Sequence, residues 1–160
     1  MPRIKQINIY DMDGTIVCSR HRYATITENG NTRIDLEHWR ANEHRAYDDS
    51  LLPLAQQYQE DLNNPEVFVI IATARVLGDA DRKFINDKLG NPDYIVSRDS
   101  GNTTSGGLLK IKGLQRIFNL IQFRNVKAVF FEDNATYLKT VCDHFAERMT
   151  GVYIPSKQGH

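Results

Sequence analysis

Apolar residues along the chain keep two rhythms. Residues 4–10, 66–72, 94–96, 127–131 and 151–154 are short runs with nearly continuous apolar side chains, and Val67-Phe68-Val69-Ile70-Ile71-Ala72 is the densest. Runs of this kind predict strands buried on both faces, as in a parallel sheet. Elsewhere apolar residues return every three or four positions. Leu51, Leu52, Leu54, Ala55 and Tyr58 do so after Ser50, the expected N-cap of that helix. Residues 79–89 (stopped by Gly90), 108–122 and 135–147 repeat the pattern and predict three more helices. Strand and helix alternate from residue 66 onward, which predicts an α/β fold: a three-layer, Rossmann-type parallel sheet with right-handed crossovers.

Residues 16–50 break the rhythm and are largely polar. Asn29-Gly30 suits a two-residue hairpin turn between Tyr23-Ala24-Thr25-Ile26-Thr27 and Thr32-Arg33-Ile34, and Asp35 should cap a short helix carrying Leu36 and Trp39. This segment reads as a small flap and helical insert after the first strand, with Trp39 expected as its core. The 160 residues are expected to form one domain.

In open parallel sheets, ligands sit beyond the carboxyl ends of the strands. Here the first run dissolves into Asp11-Met12-Asp13-Gly14-Thr15, the second into Thr73-Ala74-Arg75 and the fourth into Glu132-Asp133. Two carboxylates at i and i+2 of a strand end repel each other, so one should be metal-bound or protonated. Gly14 permits the sharp turn that follows. Arg75 can clamp a substrate phosphate or pair with an acid. Two lysines, Lys110 and Lys112, begin the helix whose apolar face is Leu114, Ile117, Phe118 and Ile121. At about 100° per residue Lys110 falls on that inner face and Lys112 nearly opposite it, so Lys110 is the one expected to meet a buried anion.

Composition narrows the classes of function. Hydrophobic residues make up 41% and charged residues 25%, ordinary for a globular protein. Twenty basic side chains balance twenty acidic ones, which argues against a generally basic nucleic-acid surface. Cys18 and Cys142 form no motif and fit free thiols in a reducing compartment. No apolar run approaches the roughly 18 residues of a membrane span, and no signal-peptide pattern opens the chain, so a soluble, cytoplasmic protein without membrane contact is expected. The absence of a Walker-type Gly-Lys-Thr/Ser loop gives no support to kinase activity. The five histidines are scattered and read as surface or packing residues.

Asp11-Met12-Asp13-Gly14-Thr15, Thr73 after a buried strand, a later helical lysine, and Glu132-Asp133 after another strand resemble, in order, the four motifs of the haloacid dehalogenase (HAD) superfamily. The chain looks most like the phosphatase domain of phage polynucleotide kinase and related small phage HAD proteins. Ile9-Tyr10-Asp11-Met12-Asp13-Gly14-Thr15 and the series Arg98, Gly101, Lys110 carry that likeness, although Asn102, Thr104 and Gly106 stand where that family has more charge.

The resemblance implies a phosphomonoesterase working through an aspartyl-phosphate. Asp11 would be the nucleophile, Asp13 the general acid and then base, Thr73 the hydroxyl on the phosphoryl oxygens and Lys110 the neutralising cation. Asp11, the Asp13 carbonyl and Asp133 would hold a metal, with Glu132 either a direct ligand or a residue behind the ligands. An oxygen-only donor set selects a hard cation, so Mg²⁺ is expected. Arg75, Arg98, Thr15 and Arg22 are the expected substrate contacts, with Arg22 steering phosphate from the flap. A small insert leaves the site open, which suits phosphate on a nucleic-acid 3′ end first and a (deoxy)nucleotide second. The competing expectation is a non-catalytic HAD-fold binding protein.

Overall fold

The computed structural model describes residues 3–22 and 25–156. In chain order the elements are β1 (Gln6–Tyr10), β2 (Val17–Cys18), β3 (Thr25–Glu28), β4 (Asn31–Ile34), α1 (Leu36–Ala41), β5 (Ser50–Leu51), α2 (Ala55–Leu62), β6 (Val67–Ala72), α3 (Asp79–Phe84), β7 (Tyr94–Val96), α4 (Gly106–Phe118), β8 (Lys127–Glu132), α5 (Ala135–Phe145) and β9 (Met149–Tyr153). Five strands form one parallel sheet in the order β7-β6-β1-β8-β9. The fold is HAD-like α/β, with helices on both faces.

The pleat divides the apolar runs between two cores. Ile7, Ile9, Ile70, Ala72 and Phe130 face one way and pack with Leu114, Ile117 and Phe118 of α4 and Val141 and Phe145 of α5. Tyr10, Val69, Ile71 and Phe131 face the other way and pack with Ala55 and Tyr58 of α2 and Phe84 of α3. Tyr10 stacks on Phe131, with ring centroids 4.7 Å apart.

The insert differs from its expected form at one end. Asn29 and Gly30 adopt positive φ (51° and 80°) and join β3 to β4 as a hairpin; Tyr23 and Ala24 of the expected first strand lie outside the described residues. Asp35 caps α1, its Oδ1 accepting from the Glu37 and His38 amides. Ser50, however, is not a helix cap. It pairs with Cys18 in a two-residue antiparallel ladder, the Leu52 amide continues that ladder to the Ile16 carbonyl at 2.8 Å, and α2 starts only at Ala55. A helix from residue 51 would leave the backbone of residues 16–18 without those partners.

Element ends shift elsewhere too. The helix expected over 79–89 runs to Phe84 and then widens into a π-type turn at Ile85–Leu89 before Gly90. The helix expected over 108–122 begins earlier, behind Ser105, and stops at Phe118.

Candidate active site

Register brings the motif residues together. Tyr10 pairs with Ile71 on one side and Phe131 on the other, and the Asp11 amide bonds the Phe131 carbonyl at 3.0 Å. The carboxyl ends of β1, β6 and β8 therefore stop side by side, with Asp11, Thr73, Glu132 and Asp133 at one rim. Beyond Asp11 the chain coils tightly, and the amides of Thr15, Ile16 and Val17 all donate to the Met12 carbonyl. Gly14 sits in this coil at φ +79°, where a Cβ would lie 2.2 Å from Asp133 Oδ2 and 2.7 Å from Ser156 Oγ. Glycine is required there on both counts, by the backbone conformation and by the close approach of Asp133.

Lys110 arrives from the first turns of α4, 1% exposed, and its Nζ donates to Asp11 Oδ1 at 2.9 Å and to Glu132 Oε1 at 3.0 Å. Lys112 is exposed. Burial alone would depress the Lys110 pKa, but the charges of Asp11 and Glu132 outweigh it and hold the ammonium form above the ordinary lysine range. Burial and then the neighbouring Asp11 charge push the Glu132 carboxyl well above the ordinary glutamate value. Glu132 is 0% exposed, and its Oε2 is buried without a hydrogen-bond partner.

Oxygens of Asp11, Glu132 and Asp133 lie within 4.8 Å of one another, all three residues buried. Three carboxyl groups face one lysine ammonium here, and among the described residues Glu132 Oε2 has no hydrogen-bond partner. A hard divalent cation meets both needs, and the all-oxygen donor set fits Mg²⁺ rather than a metal that prefers sulfur or imidazole.

Asp13 stands apart from this cluster. Its Oδ1 accepts from Ser19 Oγ (3.0 Å) and Arg75 Nη2 (2.5 Å), and its Oδ2 from Arg75 Nε (3.0 Å). Arg75 also donates to Asp49 Oδ2 at 3.0 Å and to Asp81. Burial opposes a charge there, but Asp13 foremost, with Asp81 and Asp49, keeps the guanidinium pKa above its usual value. Of the two roles open to Arg75, the geometry displays the pairing with acids.

A cavity of about 540 Å³ opens over this floor, lined by Asp11, Asp13, Thr73, Lys110, Glu132 and Asp133 below, by Ile34, Leu36 and Trp39 of the insert, and by residues 102–106. Thr73 is buried, and its Oγ1 accepts from the Arg75 amide at 3.1 Å. Asn134 caps α5 through the Tyr137 amide.

Three expected substrate contacts are otherwise engaged. Thr15 does not line the cavity; its buried hydroxyl lies 3.2 Å from Asp11 Oδ2 and 3.5 Å from Asp133 Oδ1, tying the nucleophile candidate to a candidate metal ligand. Arg22 is no solvated flap residue. It is 1% exposed, absent from the cavity lining, and clamped to both oxygens of Asp49 at 2.8 and 3.1 Å, because a buried guanidinium needs a paired acceptor. Arg98 lines the cavity, yet its Nε and Nη1 donate to the carbonyls of Ala74, Asn102 and Thr104, strapping the loop over 97–105 to the end of β6.

Asp49, Asp81 and Ser19 were not singled out by the sequence. Asp49 is the hub, accepting from Arg22 and Arg75 with His21 Nε2 at 2.8 Å, so His21 does meet an acid. No local signal marks it: Asp48-Asp49-Ser50 reads as an ordinary acidic turn. Asp81 carries a weak signal, an acid in the first turn of a helix, where it also accepts from the Gly78 amide at 2.9 Å.

Among solved structures, the HAD domain of the effector protein Lem4 from Legionella pneumophila superposes with a TM-score of 0.62 at 18% identity, covering 98% of this chain and 89% of that one. A chain of the Pnkp1/Rnl/Hen1 RNA repair complex superposes with a TM-score of 0.59 at 17% identity, over 95% of this chain and 43% of that one. At these identities the likeness is one of fold. A curated relative, the 5′-deoxynucleotidase of Escherichia phage T5, is 35% identical over 89 residues, which are 52% of this chain and 35% of that protein. The family model described as bacteriophage T5 5′-deoxynucleotidase matches residues 1–154. With nearly its whole length matched, and with the HAD fold and its acidic rim in place, the chain belongs to the phage T5 5′-deoxynucleotidase family.

Proposed function

We propose that this chain is a Mg²⁺-dependent phosphomonoesterase that hydrolyses 5′-(deoxy)nucleotides through an aspartyl-phosphate on Asp11. The observation that carries the reading is the buried Asp11–Lys110–Glu132 contact beside Asp133, at the floor of an open cavity. The carboxylate of Asp11 forms a bond to phosphorus while the bond from phosphorus to the ester oxygen breaks. Asp13 gives that leaving oxygen its proton, then accepts one from the water that releases inorganic phosphate and regenerates Asp11. Lys110 orients Asp11 and neutralises charge on the phosphoryl group, and Thr73 donates to one of its oxygens. A cation held by Asp11, Asp133 and the Asp13 carbonyl, with Glu132 behind or beside them, would offset the charge of the phosphoryl oxygens.

Arg75 positions the proton carrier. Its guanidinium faces both Asp13 oxygens and so holds that carboxyl group in place at the cavity. Asp49 and Asp81 in turn hold Arg75.

Family membership supports the nucleotide reading over the nucleic-acid 3′-phosphate reading, for which the likeness to an RNA repair chain speaks only to fold. Purified protein with Mg²⁺ should release phosphate from deoxynucleoside 5′-monophosphates faster than from 3′-phosphorylated oligonucleotides, and Asp11→Asn should abolish release. No phosphate from either class, or full activity in the variant, overturns the proposal.

A further inference from the structure

We propose that the insert supplies a nucleobase subsite in which Trp39 is the stacking platform; this rests on the nucleotide reading above. The sequence predicts Trp39 as the core of the insert, yet α1 buries none of its residues. Trp39 is only half-buried, Leu36 is 53% exposed and Ile34 is half-buried, and all three line the cavity that the acidic residues also line. Apolar side chains gathered at the mouth of a charged site, with no core to serve, call for a ligand with an apolar face.

The ring is also held. The Arg22 guanidinium carbon lies 4.2 Å from its centroid, and Arg22 is itself fixed by both oxygens of Asp49. The Arg75 guanidinium carbon lies 5.5 Å from the same centroid while bonding Asp13. An indole stiffened by a clamped guanidinium loses little freedom on stacking, and Arg75 lies between it and Asp13 as a shared neighbour. Phosphate on the floor and an aromatic base on the insert wall account for both halves of the cavity.

Trp39 is the single tryptophan of the chain, so its emission reports the subsite directly. The Asp11→Asn protein with Mg²⁺ should show quenching on titration with dAMP and none with 2-deoxyribose 5-phosphate at equal concentration. In the catalytically intact protein, the kcat/KM ratio of dAMP to 2-deoxyribose 5-phosphate should fall about tenfold or more in Trp39→Ala and largely recover in Trp39→Phe. Unchanged emission with dAMP overturns the subsite, as does a Trp39→Ala loss that is equal for both substrates. Hydrolysis of 2-deoxyribose 5-phosphate without preference for dAMP removes the subsite and leaves a phosphatase. Quenching by dAMP in a protein that hydrolyses neither substrate upholds the subsite and removes the phosphatase reading.

Discussion

Replacing Lys110 by methionine tests the centre of the site most sharply. The Nζ makes two contacts, at 2.9 and 3.0 Å, to carboxylates that are themselves buried. At an effective dielectric of about 20, each contact is worth about 6 kcal/mol of Coulomb attraction, against several kcal/mol for desolvating the ammonium. Breaking one side of such a cluster leaves uncompensated buried charge, so the metal-free variant should lose about 3–5 kcal/mol of stability at neutral pH. For a domain of this size that is a fall in Tm of roughly 6–20 °C.

The pH dependence has a definite sign. Because the Lys110 pKa is raised in the folded state, its contribution is complete below the ordinary lysine pKa and flat through neutrality. The Glu132 pKa is also raised, so that group favours the fold at low pH and loses this contribution as pH rises through its folded value. Lys110→Met removes the contact that pulls Glu132 down, so the deficit against the parent protein should widen as pH rises from about 5 to 8. Adding Glu132→Gln should recover part of it. Denaturant unfolding at several pH values, with EDTA present, measures all three effects. A deficit under about 1 kcal/mol, or one independent of both pH and Glu132, refutes the account of the cluster.

Three other perturbations probe separate contacts. Gly14→Ala sets a Cβ against Asp133 at a positive φ, costing about 1–2 kcal/mol of strain and weakening Mg²⁺ binding at least about tenfold by calorimetry; unaltered affinity means Gly14 does not set the position of Asp133. Asp49→Asn leaves two buried guanidinium groups short of an acceptor, and thermal unfolding should show a loss of about 3 kcal/mol; a neutral outcome would mean Asp81 and solvent replace it. Arg98→Ala removes three bonds to carbonyls, so amide exchange over residues 97–105 should quicken and kcat/KM should drop, whereas unchanged exchange rules out the strap.

What the sequence disclosed and what it concealed have different physical origins. The rim was readable because each strand is a dense apolar run that ends abruptly in polar residues, a signal carried by neighbours in the chain. Lys110 was readable from helical phase, since a lysine on an apolar face needs an anion. The Arg22–Asp49–Arg75 contacts left no such trace: Asp49 lies 27 residues from Arg22 and 26 from Arg75, and each alone resembles a solvated charge. Asp81, six residues beyond Arg75, offered only its place in the first turn of a helix. Ser50 misled because a serine before an apolar period suits a helix cap as well as a strand edge. Only the partner backbone at residues 16–18 decides between them.

Residues 25–45 contribute no fully buried side chain, while residues 46–49 and the short ladder to β2 anchor the insert to the body. Exposed substitutions there, away from the Asn29-Gly30 turn, the Asp35 cap and the Trp39–Arg22 contact, therefore fall in the class that shifts stability by about 0.5 kcal/mol or less. Yet Ile34, Leu36 and Trp39 belong to that part and form a wall of the cavity. Selection can thus retune what enters the site almost independently of what holds the protein folded, and substrate range is the trait in which descendants of this chain should diverge soonest.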